Sequence, residues 1–141
     1  MRNTQRFLLY SGLFLLSLVI LGYIGLGPTA SASALGAHLY FDPAENLLHL
    51  IFGLLALVGA KLLKSDRSLR ILSGLLGAVA LIAVVVGILN YQMPAPNLGL
   101  LNMEWLDDVI HAILALWGFW VAFMPEGPFL IKDEKPQLSH S

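Results

Sequence analysis

The chain has 141 residues, of which 57% are hydrophobic and only 12% charged, with a formal net charge of −1 and no cysteine. A soluble domain carries about 25% charged residues, so this composition excludes an ordinary soluble fold and any nucleic-acid footprint. The missing cysteine excludes disulfides, thiolate metal ligands and cysteine nucleophiles.

Four apolar runs account for the composition: residues 7–27, 44–63, 69–91 and 105–123. Each approaches the ~20 residues an α-helix needs to cross ~30 Å of hydrocarbon, and none has the wide polar stripe of a soluble bundle helix. The expected fold is all-α: one integral membrane domain over residues 1–141, a four-helix transmembrane bundle. All eight Lys and Arg (Arg2, Arg6, Lys61, Lys64, Arg67, Arg70, Lys132 and Lys135) fall on one side of such a bundle. The positive-inside rule then puts both termini in the cytoplasm of a bacterial inner or photosynthetic membrane. Asp42, Glu45, Glu104, Asp107 and Asp108 gather on the opposite side without a basic partner.

In chain order, the first run has a basic start and an Ala-Ser tract at 30–34 that resembles a signal-peptide cleavage site. At about 21 residues it is longer than a signal's apolar region, and an uncleaved first helix is expected. An outer loop of small residues leads to Asp42-Pro43-Ala44-Glu45. There Asp42 can cap the second helix, Pro43 suits its first position, and Glu45 lies where a capping-box glutamate reaches back. The short segment 64–68 makes the second and third helices antiparallel neighbours, and a proline-containing outer loop over 90–102 leads to the fourth. Pro125 to Pro128 ends that helix, leaving a polar tail over 126–141. Tyr23, Tyr40, Tyr91 and Trp105 at one interface, with Phe7, Tyr10 and Trp120 at the other, form an aromatic belt.

One pattern occurs twice. Glu45-Asn46-Leu47-Leu48-His49 is echoed by Asp107-Asp108-Val109-Ile110-His111, 62 positions later. The same offset carries Ser11-Gly12-Leu13 onto Ser73-Gly74-Leu75, and Gly25 onto Gly87, without a gap. This reads as a duplication: two tandem, parallel helical hairpins over about 7–63 and 69–125, related by an axis along the membrane normal. Both histidines then lie at one depth. His49 is about 9 Å into its helix at 1.5 Å per residue.

Helical spacing puts Glu45, His49, Gly53, Ala56 and Ala60 on one face of the second helix. Asp107, His111, Ala115, Gly118 and Ala122 occupy the matching face of the fourth. Small residues on a membrane helix let a neighbouring backbone approach, and the leading reading is close packing, with Asn46 and Asp108 in a structural polar network. That reading makes the chain a non-catalytic accessory subunit, packed in the bilayer against other membrane proteins or itself. The alternative is that the small strip clears room for a flat cofactor, a b-type haem or a chlorophyll-type pigment, ligated by His49 and His111. A third reading places a divalent cation on Glu45, Asp107 and Asp108. Proton transfer by the acid–histidine pairs ranks last, because no basic residue continues the path. Ser11 and Ser73 are expected to bond their own helix backbone, and His38 and His140 to face solvent. No catalytic triad or phosphate-binding loop is present, so no enzymatic activity is expected.

The stretch from Phe41 to Gly53, with Asn46, His49, Leu50 and Gly53 in an Asn-x-x-His-Leu-x-x-Gly pattern, resembles a family of small four-helix bacterial membrane proteins classed as a domain of unknown function. Asp107, Asp108 and His111 match the Asp/His echo in that family's fourth helix. The resemblance implies four spans and a bacterial source, and brings no activity with it. The outer proline-rich loop and the tail depart from the pattern.

Overall fold

The computed structural model describes residues 1–92 and 104–124. Four helices run through them: α1 Asn3–Ile24, α2 Pro43–Leu62, α3 Asp66–Gln92 and α4 Trp105–Phe123. All four are long and apolar enough to cross a membrane, and most of their large aliphatic side chains face outward. In water that surface would be prohibitive; in lipid it is the expected exterior. The chain is an integral membrane protein. The second outer loop, the 125–128 helix stop, the tail and His140 lie outside the described residues.

Packing is uneven. α1 lies chiefly against α2 and α3 chiefly against α4, while contacts between the two hairpins are sparse. Glycines set the close approaches. A Cβ on Gly12 would press into Leu57 and the Gly53 carbonyl, and one on Gly118 would meet the Ser73 carbonyl at 2.9 Å and the Gly77 Cα at 3.0 Å. The Gly/Ala faces of α2 and α4 are therefore covered by α1 and α3, as close packing requires. They do not clear room for a flat ligand.

The contacts also revise the register between the hairpins. Gly12 sits on Gly53 and Leu57, and it is Gly77, not Gly74, that sits on the corresponding Ala115 and Phe119. Likewise Gly22 lies under Asn46 and Gly87 under Asp108. The second helices correspond at 62 positions, but the first helices correspond at 65. The gapless alignment is off by nearly one helical turn in α1 and α3, a length the connecting loops absorb.

The basic end is fastened by polar contacts. Arg2 pairs with Asp66 at 2.6 Å and donates to the Lys64 carbonyl at 2.8 Å, and Arg70 Nε donates to the Ala122 carbonyl at 2.6 Å. The Ser73 hydroxyl bonds the Leu69 carbonyl at 2.9 Å and the Ser11 hydroxyl the Leu8 carbonyl at 3.4 Å, so both serines satisfy themselves locally. Phe7 departs from its expected place in the aromatic belt. It is buried between the helices near the basic end, packed with Leu8, Leu69 and Val121 and edge-on to Trp117 with centroids 5.1 Å apart. Tyr10, Tyr23, Trp105 and Trp120 are exposed, as belt residues are.

The outer loop after α1 is more than a string of small residues. Leu26 bridges to Ser33, a short 3₁₀ turn spans Gly36–His38, and the Ser33 hydroxyl donates to the Leu39 carbonyl. These contacts fold Leu26, Leu39 and Phe41 down onto Leu18 and Leu106, forming an apolar lid on the acidic end. His38 is exposed as expected, and the Trp105 indole N–H points to its Nδ1 at 3.5 Å.

Candidate binding site

Asp42 caps α2 as its sequence suggests: its Oδ1 accepts the Glu45 amide at 2.8 Å, and Pro43 takes the first helical position. The expected capping box, however, is absent. Glu45 turns inward, 2% exposed, and neither carboxylate oxygen has a hydrogen-bond partner. At the start of α4 the equivalent acid behaves differently, because Asp107 Oδ2 accepts the Glu104 amide at 3.4 Å. Glu45 also lies within electrostatic range of Asp107, Asp42 and Glu104. Tyr40 lies in the loop above, beside Glu104; burial first, then Glu104 and the surrounding acids, push its phenol pKa above the usual 10.0.

One turn below the acids, His49 and His111 come together. Their rings lie 6.2 Å apart, centroid to centroid, and nearly parallel at 22°. Phe41 packs edge-on against His49 at 5.1 Å. Nδ1 of each histidine is buried and unpartnered. His49 itself is 6% exposed.

These groups line a cavity of about 350 Å³ at the sparse seam between the hairpins. Its walls are Leu15 from α1, Leu48 and Phe52 from α2, Leu76 to Val86 from α3, and Leu114 from α4; Glu45, His49 and His111 are its polar members. The volume is within the ~300–1,000 Å³ of ordinary ligand pockets, and so is the plan of apolar walls with a few convergent polar groups. Ile82, 62% exposed, and Leu48 are also part of the outer surface, so the cavity reaches the lipid-facing side.

Of the residues singled out in the sequence, Glu45, His49 and His111 meet in this cavity, while Asp107 and Asp108 do not line it. Asp108 lies over Gly87 within its own hairpin, and Asn46 over Gly22 within the other. One side-chain oxygen of each is buried without a hydrogen-bond partner. The grouping of Glu45, Asp107 and Asp108 as cation ligands fails for the same reason: Asp107 serves the Glu104 amide and Asp108 faces α3. Among the described residues, no three His, Cys, Asp or Glu side chains converge to hold a metal ion. The α1 and α3 walls were missed, since Leu15, Val79 and Ala80 look like any other apolar span residue. Phe41 carried a signal, as it stands eight positions before His49 at the head of the recurring motif.

No curated protein and no solved structure matches the chain. A family model does, over residues 5–124, which takes in all of the four helices but the first two residues of α1, and every residue of the cavity. The chain therefore belongs to the family described as domain of unknown function DUF4383.

Proposed function

We propose that this is a non-catalytic membrane protein that holds a small lipophilic molecule between its two hairpins, near the acidic end. The observation that carries the reading is the seam cavity: aliphatic walls, access from the lipid side, and a polar end of Glu45, His49 and His111. Apolar walls with only a small polar end suit a molecule that is mostly hydrocarbon with a small polar head. The accessory-subunit reading rested on the Gly/Ala faces, and those are covered within the chain itself. With the basic end in the cytoplasm by the positive-inside rule, the cavity lies in the outer half of the bilayer.

The test is organic extraction and mass spectrometry of protein purified in mild detergent, beside an Ala83→Phe variant that fills the cavity. A lipophilic compound enriched with the wild type and lost in Ala83→Phe supports the reading. Equal recovery from both, with both proteins folded, contradicts it. A haem or chlorophyll-type pigment is the second reading, favoured by the facing histidine rings. It requires a visible absorption band that disappears in His111→Ala.

A further inference from the structure

We infer that the seam cavity takes one unbranched alkyl chain, lying along the helices with its end at the middle of the bilayer. This rests on the cavity being a binding site, as proposed above, and adds the shape and direction of the part that enters it.

Nearly all of the surface that the cavity offers is carbon. The Glu45 carboxylate oxygens and the Nδ1 atoms of His49 and His111 are buried among protein atoms, so these residues meet the cavity mainly through their carbons. A polar or charged group inside would find few partners and would be costly to bury. The part that fills the space is hydrocarbon.

Its length follows from α3. Leu76, Val79, Ala80, Ala83 and Val86 recur at the spacing of one helical face, and from Leu76 to Val86 that face is about 15 Å long at 1.5 Å per residue. Gly87 lies under Asp108 at the start of α4, so Val86 marks the outer end of the cavity and Leu76 the deep end. Leu15, Phe52 and Leu114 give the same depth: each stands nine residues from the acidic end of its helix, which is about 14 Å. Half of a ~30 Å hydrocarbon core has that depth. The cavity therefore runs through one leaflet, from the outer boundary to the midplane.

Its width follows from the volume. About 350 Å³ spread over that length leaves a cross-section of roughly 23 Å². A methylene chain in contact with its walls at ~4 Å on every side fills roughly 20 Å². One chain fits, and a ring system of the same carbon count does not. The opening at Leu48 and Ile82 lies on the lipid-facing side, so a chain enters sideways and keeps the direction it has in the leaflet. Such a chain has two sources, a bilayer phospholipid or a free single-chain amphiphile.

Photolabelling of the full chain in nanodiscs, read by peptide mass spectrometry, tests this. The probes are two photoactivatable dodecanols, with the diazirine near the hydroxyl or at the chain terminus, and a phosphatidylcholine with a diazirine at the end of one acyl chain. The terminal probe should label Leu76, Val79 and Ala80, and the hydroxyl-end probe Val86 and Leu48. Excess dodecanol should lower these adducts at least fivefold and excess cyclododecanol less than twofold, with Ala83→Phe removing them and sparing adducts at the lipid-facing Leu116. Phosphatidylcholine adducts at Leu76 that dodecanol displaces would name the bilayer lipid as the source; dodecanol adducts alone would name the free amphiphile. Cyclododecanol competing as well as dodecanol would overturn the chain and leave the cavity reading standing. Identical labelling by the two dodecanols would overturn the direction. Absence of any cavity adduct that dodecanol displaces would overturn both the inference and the cavity reading. The wild-type competition decides even if Ala83→Phe does not fold.

Discussion

The starts of α2 and α4 carry the same chemical ingredients and put them to different uses. Each has an acid before the helix, an acid three residues on, and a histidine one turn further. In α4 the second acid, Asp107, accepts the Glu104 amide and stays at the helix end. In α2 the first acid, Asp42, already serves the Glu45 amide, and Glu45 turns into the seam. Glutamate also has one methylene more than aspartate, which lengthens its reach. The difference shows how a near-repeat can build a one-sided site: one copy secures its helix and the other supplies the free carboxylate.

The largest effects should fall on the close glycine contacts, where the comparison between hairpins is sharpest. Gly77→Val places a side chain against the Ala115 and Phe119 backbone, and Gly118→Val one against the Ser73 carbonyl. Each should destabilise by about 1–3 kcal/mol, as overpacked positions do. Gly74→Ala, whose Cβ would meet only the Ala122 methyl at 3.4 Å, should be near neutral in thermal unfolding. A Gly74 variant as damaging as Gly77→Val would restore the gapless 62-residue register.

Next come the two acids. Asp107→Ala should cost about 1 kcal/mol through the lost cap. Glu45→Gln, which exchanges one buried side chain without a hydrogen-bond partner for a neutral one of the same shape, should leave the melting temperature of ligand-free protein near the wild-type value. A fall on Glu45→Gln matching that of Asp107→Ala would show that the two copies do the same work. Asp42→Ala should cost about 1 kcal/mol while leaving the cavity intact.

The mildest change is expected at the basic end. The Arg2–Asp66 pair is largely exposed, with Asp66 at 66%, so Arg2→Ala should shift stability by no more than about 1 kcal/mol and less in high salt. At the acidic end, Tyr40 should ionise above 10.0, for the reasons of burial and neighbouring acids already given. A phenol whose folded pKa is raised disfavours the folded state once the unfolded chain begins to ionise. Its contribution is intact below pH 10.0 and is lost as pH rises through the folded value. Ultraviolet titration of Tyr40→Phe against wild type would isolate that step, and a midpoint at or below 10.0 would contradict the burial.

Much of this was legible in the residues. Four spans follow from four apolar runs, the α2 cap from Asp42-Pro43, and the meeting of His49 with His111 from the recurring motif. What could not be read has a common cause. In a lipid-embedded helix both faces are apolar, so hydrophobic period does not say which face meets a neighbour. Phe7 therefore looked like a lipid-facing residue although it is buried between the helices, and Leu15, Val79 and Ala80 gave no sign of lining a cavity. The shift of α1 and α3 was hidden because Ser11-Gly12-Leu13 also aligns with Ser73-Gly74-Leu75; only the contacts distinguish Gly74 from Gly77. The inward turn of Glu45 was hidden because a helix-start glutamate has a good local alternative in the capping box.

Glu45, His49 and His111 form one polar site at the head of the seam cavity, and that grouping can be tested. Nitrogen NMR of ¹⁵N-histidine-labelled protein in nanodiscs, titrated with hexanol, addresses it most directly. The ring-nitrogen resonances of His49 and His111 should shift together along one saturable curve while His38 stays fixed, and Ala83→Phe should abolish the shift. Unchanged His49 and His111 signals in protein shown by dialysis to be saturated would place the ligand elsewhere and contradict it.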